Sequence, residues 1–520
     1  MMETLAVGDV VSVAYQHLQV GDDSRALELL AVAVACAPDI ALIQYLMGIG
    51  LLRQKQQNAG IAHLKQAVVL DEANADYQLA LGHALMAEQA DEALPHLARA
   101  IQLGSRDPSA YQKLAALLVN QGKPEEALHI CDAGFGVCGF QQPGILNSLA
   151  LALKGIGRYA DALGCMRAAE ALEPNDATTL INLAAVFFEL GQLEEARHYC
   201  ERACAIDPDN ASAHFNLGVA LLAQGNFKDG FREFEARLKL PKIAATIGRF
   251  QQPRWDGSEL QGRRILLETE QGVGDAIQFV RYERFVKERG GQVVLRITSS
   301  LARLFRWLEG CEIASSVSLP PFDVHCAMMS LPLLAGTERD NIPPPAKFTI
   351  PEDMKVKWQQ LLGPKNGLRV GIVWAGSPKH ANDRNRSLSL RLLTPLFAIS
   401  QVAWFSLQVG PAAEQIQEMG ANQFVRDLAP LLTDYAETAG AISQLDLVIS
   451  ADTSVAHLAG SVGNAVWILV PFVADWRWIP EQGRTSWYPN ARIFRQVTAG
   501  DWPTVVHQVA EALLTQAAKR

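Results

Sequence analysis

The chain has 520 residues, 49% hydrophobic and 19% charged, the composition of soluble globular domains rather than of a disordered tail or a membrane bundle. That length exceeds one ordinary core and implies two or three domains. A net charge of −9 without a basic stripe argues against a dedicated nucleic-acid binder, and eight cysteines without a CxxC pair argue against a disulfide scaffold or a zinc site.

The charge is unevenly placed. Lys plus Arg against Asp plus Glu is 19 to 29 over residues 1–250 and 27 to 26 over the remainder, so the acidity belongs to the first half. All ten tryptophans lie between Trp255 and Trp502, which marks a compositional boundary near residue 250. The opening segment lacks a basic stretch followed by an apolar core, and no run of about eighteen apolar residues occurs. A cytoplasmic protein without a transmembrane segment is expected.

In chain order, the first signal is a repeat. Small residues recur at Ala14, Gly48, Gly82, Ala115, Ala150, Ala184 and Gly218, spaced 33 to 35 residues apart. A second small position reads Ala26, Gly60, Ala93, Ala127, Ala162, Ala196 and Gly230. A third reads Ala33, Ala67, Ala100, Gly134, Ala169 and Ala203, until Arg237 breaks it. Larger residues such as Leu30, Leu64, Leu97, Met166 and Phe234 stand between them. The pattern predicts about seven antiparallel helical hairpins, with small residues where two helices touch and large ones in the seams. Their phase resembles the tetratricopeptide repeat over roughly residues 7–241.

Such arrays bind extended partners along a concave face, where Asn182 and Asn216 occupy the same inward repeat position, the alternative being ordinary repeat sequence. Asp207-Pro208-Asp209 spells a metal-binding DxD but falls in a repeat-closing turn and is set aside. Cys200 and Cys204 are spaced i, i+4 on a second helix, and core packing accounts for Cys200 better than metal ligation does.

From Arg263 the period changes. Strand-length runs are predicted at 263–269 and 292–297 with a helix over 275–288 between them, and again at 368–374, 402–407, 445–450 and 465–470, after the link Asn341-Ile342-Pro343-Pro344-Pro345. Two Rossmann-like lobes result, and ligands in open parallel sheets bind beyond the carboxyl ends of the strands. Three post-strand loops therefore carry the candidate chemistry. Glu270-Gln271-Gly272-Val273-Gly274-Asp275 offers a tight turn and a carboxylate, either a helix cap or a general base. The second loop contains Ser377 and is made basic by Lys379, His380, Arg384 and Arg386, either merely solvated or balancing a diphosphate. Asp452-Thr453-Ser454 opens a helix whose N-terminus can hold a phosphate, with His457 one turn in, or else caps it beside a packed histidine.

These three loops together resemble glycosyltransferase family nine, the bacterial heptosyltransferases, over roughly residues 263–500. The resemblance implies a GT-B fold and a nucleotide-diphosphate sugar donor, with no other cofactor and no metal. It implies Asp275 as catalytic base, and donor contacts from Gly272, Gly274, Ser377, Lys379 or Arg386, Asp452, Thr453, Ser454 and His457. Ser454 replaces the family's glycine, and Arg386 stands for its lysine. The ending, Asp475-Trp476-Arg477-Trp478-Ile479-Pro480 through Ser486-Trp487-Tyr488-Pro489, resembles bacterial repeat proteins with a fused transferase, and its aromatics suit either sugar stacking or packing.

The expected architecture is thus an all-α tetratricopeptide superhelix over 1–244, followed by an α/β two-lobed GT-B glycosyltransferase with an acceptor lobe over 245–350 and a nucleotide-sugar lobe over 351–520. The expected function is inverting, metal-independent glycosyl transfer to a protein or glycan acceptor recruited by the array. The alternative is a non-catalytic scaffold with a degenerate transferase-like domain.

Overall fold

The computed structural model describes residues 7–86, 89–248, 250–314, 318–380, 382–479 and 483–518. The chain forms two compact units, Met1–Phe187 and Phe188–Arg520. That division falls inside the sixth hairpin. The last hairpin shares a hydrophobic core with the α/β region: Leu222, Phe227, Phe231 and Phe234 belong to the same cluster as Ile265, Phe279, Trp476 and Trp487.

The first unit is built from helical hairpins, from Val7–Gln19 paired with Asp23–Cys36 to Pro143–Gly155 paired with Tyr159–Leu172, and ends in Ala177–Glu189. The predicted small positions Ala14, Ala26, Ala33, Ala67 and Ala93 are fully or almost fully buried, and Leu30, Leu64 and Leu97 fill the seams. Turns inside the hairpins place Gly21, Gly122 and Gly157 at φ near +80°, and Lys55 adopts the same left-handed region at φ 61°.

A polar rule accompanies the apolar one. Four residues before the first small position, Gln44 donates to the Pro38 carbonyl (2.8 Å), Gln78 to the Glu72 carbonyl (3.0 Å) and Tyr111 to the Ser105 carbonyl (3.1 Å). Gln44 and Gln78 also bond His63 and His96 of the second helix at 2.6 and 2.8 Å. Each link ties a hairpin to the turn that precedes it and satisfies a carbonyl that would otherwise lack a donor. In the second unit His214 repeats the arrangement, bonding the Pro208 carbonyl (2.9 Å) and Glu233 (2.5 Å).

The second unit begins with the helices Leu193–Ile206, Ala211–Ala223 and Phe227–Phe234 and continues into two parallel sheets. The first contains β1 (Arg264–Glu268), β2 (Gln292–Arg296), β3 (Cys311–Ala314) and β4 (Val324–Ala327) in the order β3-β2-β1-β4. The second contains β5 (Leu368–Val373), β6 (Val402–Ser406), β7 (Val425–Asp427), β8 (Leu447–Ala451), β9 (Val466–Val470) and β10 (Ala491–Arg495) in the order β10-β9-β8-β5-β6-β7. Renumbered from its own first strand, the second sheet reads 3-2-1-4-5-6 from one edge, the doubly wound order, whose switch point lies between β5 and β8. All strands predicted from apolar runs are present; β3, β4, β7 and β10 are additional. The helix expected over 275–288 is split into Val273–Phe279, a 3-10 turn Val280–Tyr282 and Glu283–Glu288.

The two sheets belong to one body. Arg303, from the first, bonds Glu437 (2.6 Å) and pairs with Asp434 (3.2 Å), both from the second. Burial pushes the Glu437 carboxyl up, but hydrogen bonds from Lys357, Arg303 and Trp358 hold it below the ordinary glutamate range.

Candidate functional site

The first loop leaves β1 and turns into Val273–Phe279 with Gly272 at the N-cap. Asp275 is therefore the third helical residue rather than the cap. Its Oδ2 accepts the Gly272 N–H (2.9 Å), closing the turn on itself. Its Oδ1 accepts from Arg477 Nη2 (2.6 Å), a residue of the other sheet's surroundings.

Arg477 is the central cation of the site and was not singled out from sequence. It is buried, its Nε donates to Gln278 Oε1 (2.8 Å), its Nη1 to Asp475 Oδ1 (2.8 Å), and its guanidinium lies 4.2 Å over the Trp476 ring. Burial works against its charge, and Asp475 and Asp275 outweigh that and raise its pKa further. A planar fork flanked by two carboxylates is fixed in orientation as well as charge.

The second loop leaves β5. Ser377, Lys379 and His380 are exposed, and Ser377 Oγ accepts the Lys379 N–H (3.4 Å). Arg386 turns inward instead: its Nη1 donates to the Asp452 carbonyl (2.9 Å), joining the loops on either side of the β5/β8 switch point. The structure thus brings Arg386, not Lys379, to the third loop. Partial desolvation of the His380 ring, although the residue is exposed overall, holds its pKa below the ordinary imidazole value with help from Arg386, while Asp475, Asp383 and Asp275 act in the opposite sense; those neighbours set the loop over the same charges.

The third loop leaves β8. Thr453 caps Ser454–Ser461, accepting the Val455 N–H (3.3 Å) and meeting Ser450 Oγ at 3.0 Å; Ser454 Oγ meets the Tyr435 hydroxyl at 2.7 Å. The Asp452 carboxyl is pushed up to about 6 by burial and by the charge of Asp475, against the pull of Trp478, Arg386 and Arg477. His457 is buried, bonded to the Tyr488 hydroxyl (3.1 Å) and packed on Trp478 with ring centroids 4.8 Å apart. Burial, reinforced by Arg477, Arg281 and Arg386, holds its pKa well below the ordinary value, so the imidazole is neutral.

Gly274 explains the glycine pair in the first loop. A Cβ there would stand 2.9 Å from His457 Cδ2 and 3.5 Å from Ser454 Cα, so only glycine lets the two loop helices meet. The site therefore joins Asp275, Arg477, Asp475, Asp452 and Arg386 over a floor of Gly274, His457 and Trp478.

Trp476, Trp478, Trp487 and Tyr488 are all buried, Trp476 and Trp487 among Phe227, Phe231 and Phe279 and Trp478 and Tyr488 against each other and His457, so their role is packing rather than stacking on a ligand. The helix Trp502–Ala517 packs elsewhere, against Leu390–Phe397. Pro480, the end of that sequence motif, lies outside the described residues.

A hollow of about 860 Å³ lined by Arg264, Gln292, Cys311 and Lys347 opens at the amino ends of β1–β3. That is the opposite end of the strands from Asp275, where open parallel sheets do not bind their ligands.

In the first unit, a hollow of about 550 Å³ is lined by Tyr45, Ile49, Asp76, Leu79, Ala80 and His83, among others. Ala80 holds the same repeat position as Asn182 and Asn216, both half-buried on first helices of their hairpins. Burial lowers the His83 pKa to about 4, helped by Lys113 and opposed by Asp107, which leaves a neutral ring beside two acids. Asp207-Pro208-Asp209 forms the turn between Leu193–Ile206 and Ala211–Ala223, with Asn210 Nδ2 donating to Asp207 Oδ2 (3.0 Å). Among the described residues no three His, Cys, Asp or Glu side chains converge as metal ligands, and no helix is long and apolar enough to cross a membrane.

The paired helices and their spacing define tetratricopeptide repeats. Residues 185–225 match a family model described as TPR repeat, and 207–244 one described as Tetratricopeptide repeat. Among curated proteins, Protein FlbA of Caulobacter vibrioides is 27% identical over 441 residues, covering 78% of this chain and 73% of FlbA. That share is larger than residues 1–244 could supply, so the similarity reaches into the sheet-bearing region. Among solved structures, YrrB, described as a TPR protein with an unusual peptide-binding site, is 18% identical with a TM-score of 0.29, covering 35% of this chain and 95% of YrrB. A tetratricopeptide repeat protein from Parabacteroides merdae is 16% identical with a TM-score of 0.40, covering 45% of this chain and 93% of that one.

Proposed function

We propose that the sheet-bearing region is an inverting, metal-independent glycosyltransferase of GT-B type, similar to family nine, and that the repeats recruit its protein or glycan acceptor. The observation that carries this reading is the meeting of post-strand loops from β1, β5, β8 and β9: Arg386 joins the β5 and β8 loops, Gly274 sets the β1 loop against His457 of the β8 loop, and Arg477, after β9, binds Asp275. In the proposed step the acceptor hydroxyl attacks the anomeric carbon of a nucleotide-diphosphate sugar. The bond to the diphosphate breaks with its electron pair leaving on phosphate oxygen, and the acceptor proton passes to Asp275. Arg386 and Arg477 supply the positive charge that offsets the departing diphosphate, a task that otherwise falls to a metal. Thr453 and Ser454 add hydroxyls at the helix end, and His457, neutral and enclosed, supports Gly274 from below.

One observation favours the scaffold reading: both Asp275 oxygens already accept hydrogen bonds, from Gly272 and Arg477. Each carboxylate oxygen has a second lone pair, so a proton can still be received. Incubating the full chain with a panel of nucleotide sugars and a lysate from its own source separates the two. Transfer of labelled sugar to a lysate component supports the enzyme; no binding and no consumption of any donor leaves the scaffold.

A further inference from the structure

Arg237 stands where the six preceding hairpins place Ala33, Ala67, Ala100, Gly134, Ala169 and Ala203. In a continuing array a small residue there admits the neighbouring helix. After the last hairpin the chain turns into 241–248, and a guanidinium with 0% exposure occupies the place. Its Nε and Nη2 donate to Glu270 Oε1 at 3.3 and 2.8 Å, Nη1 to Glu235 Oε1 (2.5 Å) and to the Phe234 carbonyl (3.3 Å), and Nη2 to Ser330 Oγ (2.8 Å).

Glu270 opens the loop that ends in Asp275. The Met329 N–H also donates to its Oε1 (3.2 Å), and Thr246 Oγ1 to its backbone carbonyl (3.1 Å), so the chain leaving the repeats grips this residue at both side chain and backbone. A second route reaches Asp275 from the other side. The Phe227, Phe231 and Phe234 rings of the last hairpin pack on Trp476 at 6.3, 5.7 and 6.5 Å, and Trp476 carries the Arg477 guanidinium that binds Asp275. A buried Arg–Glu pair adds little stability over an apolar pair of similar volume, which leaves geometry as the reason for building one.

We propose that the last repeat hairpin is a working part of the transfer site, and that Arg237 is a positioning residue which sets the Glu270–Asp275 loop from the repeat side. The inference rests on the reading of Asp275 as base. It makes the seventh repeat inseparable from catalysis, whatever partner the earlier repeats hold.

The test uses the full chain. Arg237→Ala strands a buried carboxylate and can unfold the body, so the decisive variant is Arg237→Met with Glu270→Gln, which removes both charges at similar volume. In that folded variant, backbone hydrogen exchange over 268–280 should accelerate about tenfold while Ala211–Ala223 keeps native protection. With the donor consumed by the native chain, kcat should fall about tenfold with donor KM changed less than about threefold, and Arg237→Lys should recover part of the loss. Native exchange over 268–280 in the folded double variant overturns the proposal, as does native kcat. If instead Asp275→Asn keeps full turnover, the base reading fails, and the exchange result alone decides whether Arg237 positions the loop.

Discussion

At the scale of single residues, Asp452 holds a carboxyl among two arginines, yet burial and Asp475 raise it to about 6. Below that pH it is neutral; above it, it carries a charge that faces any bound diphosphate. Affinity for a nucleotide-diphosphate sugar, whose phosphates do not titrate in this range, should therefore fall about tenfold as pH rises from 5 to 7.5. Calorimetric titration of native protein and Asp452→Asn checks it: the variant should bind with the same affinity at both pH values, and an equal pH dependence in both would assign the effect elsewhere. Asp275, Arg386 and Asp452 were legible in the sequence because each sits in a loop whose place follows from an apolar strand just before it. Arg477 was not. Its partner Asp275 is 202 residues away, and nothing local to Asp475-Trp476-Arg477-Trp478 distinguishes a cation that crosses to another sheet from one that is solvated.

At the scale of elements, the hairpins were legible because the small residues repeat, and the central strands because they are continuous apolar runs. Strands β3, β4 and β7 have only 4, 4 and 3 residues, too few for a period to show, and β10, interrupted by Arg492 and Arg495, is neither a continuous apolar run nor a regular alternation. The split of the segment after β1 into two helices and a 3-10 turn was equally hidden, since Phe279, Val280, Arg281 and Tyr282 are all buried and give no amphipathic contrast. Gly274 carries a prediction at this scale. Valine there drives side-chain carbons into His457, and with little room for the ring to retreat from Trp478 and Tyr488 the helices Val273–Phe279 and Ser454–Ser461 must part. Gly274→Val should cost about 1–3 kcal/mol. Urea unfolding measures it, and an unchanged midpoint would show that the two helices do not depend on close approach.

At the scale of the whole molecule, the compositional step near residue 250 suggested a boundary that the packing does not respect. The tryptophans begin there, but Trp476 and Trp487 are covered by Phe227, Phe231 and Phe234 from the last hairpin. A composition count sees which residues a segment contains and not what they are buried against. The consequence is testable by truncation: a chain beginning at residue 188 should fold cooperatively, whereas one beginning at 245 exposes that aromatic face and should aggregate or lose its near-ultraviolet tryptophan signal. Equal stability of the two fragments would place the boundary at 244 after all.

In the proposed function Asp275 serves as the base of a glycosyl transfer whose donor sits against Arg386, Arg477 and the Asp452 loop. The most direct measurement pairs donor affinity with turnover in Asp275→Asn, an isosteric change that keeps the oxygen facing Arg477. Donor affinity should stay native-like while turnover falls about a thousandfold or more, the loss expected when a positioned general base is removed. Turnover within a few-fold of native, in a variant that binds the donor and folds normally, would contradict it.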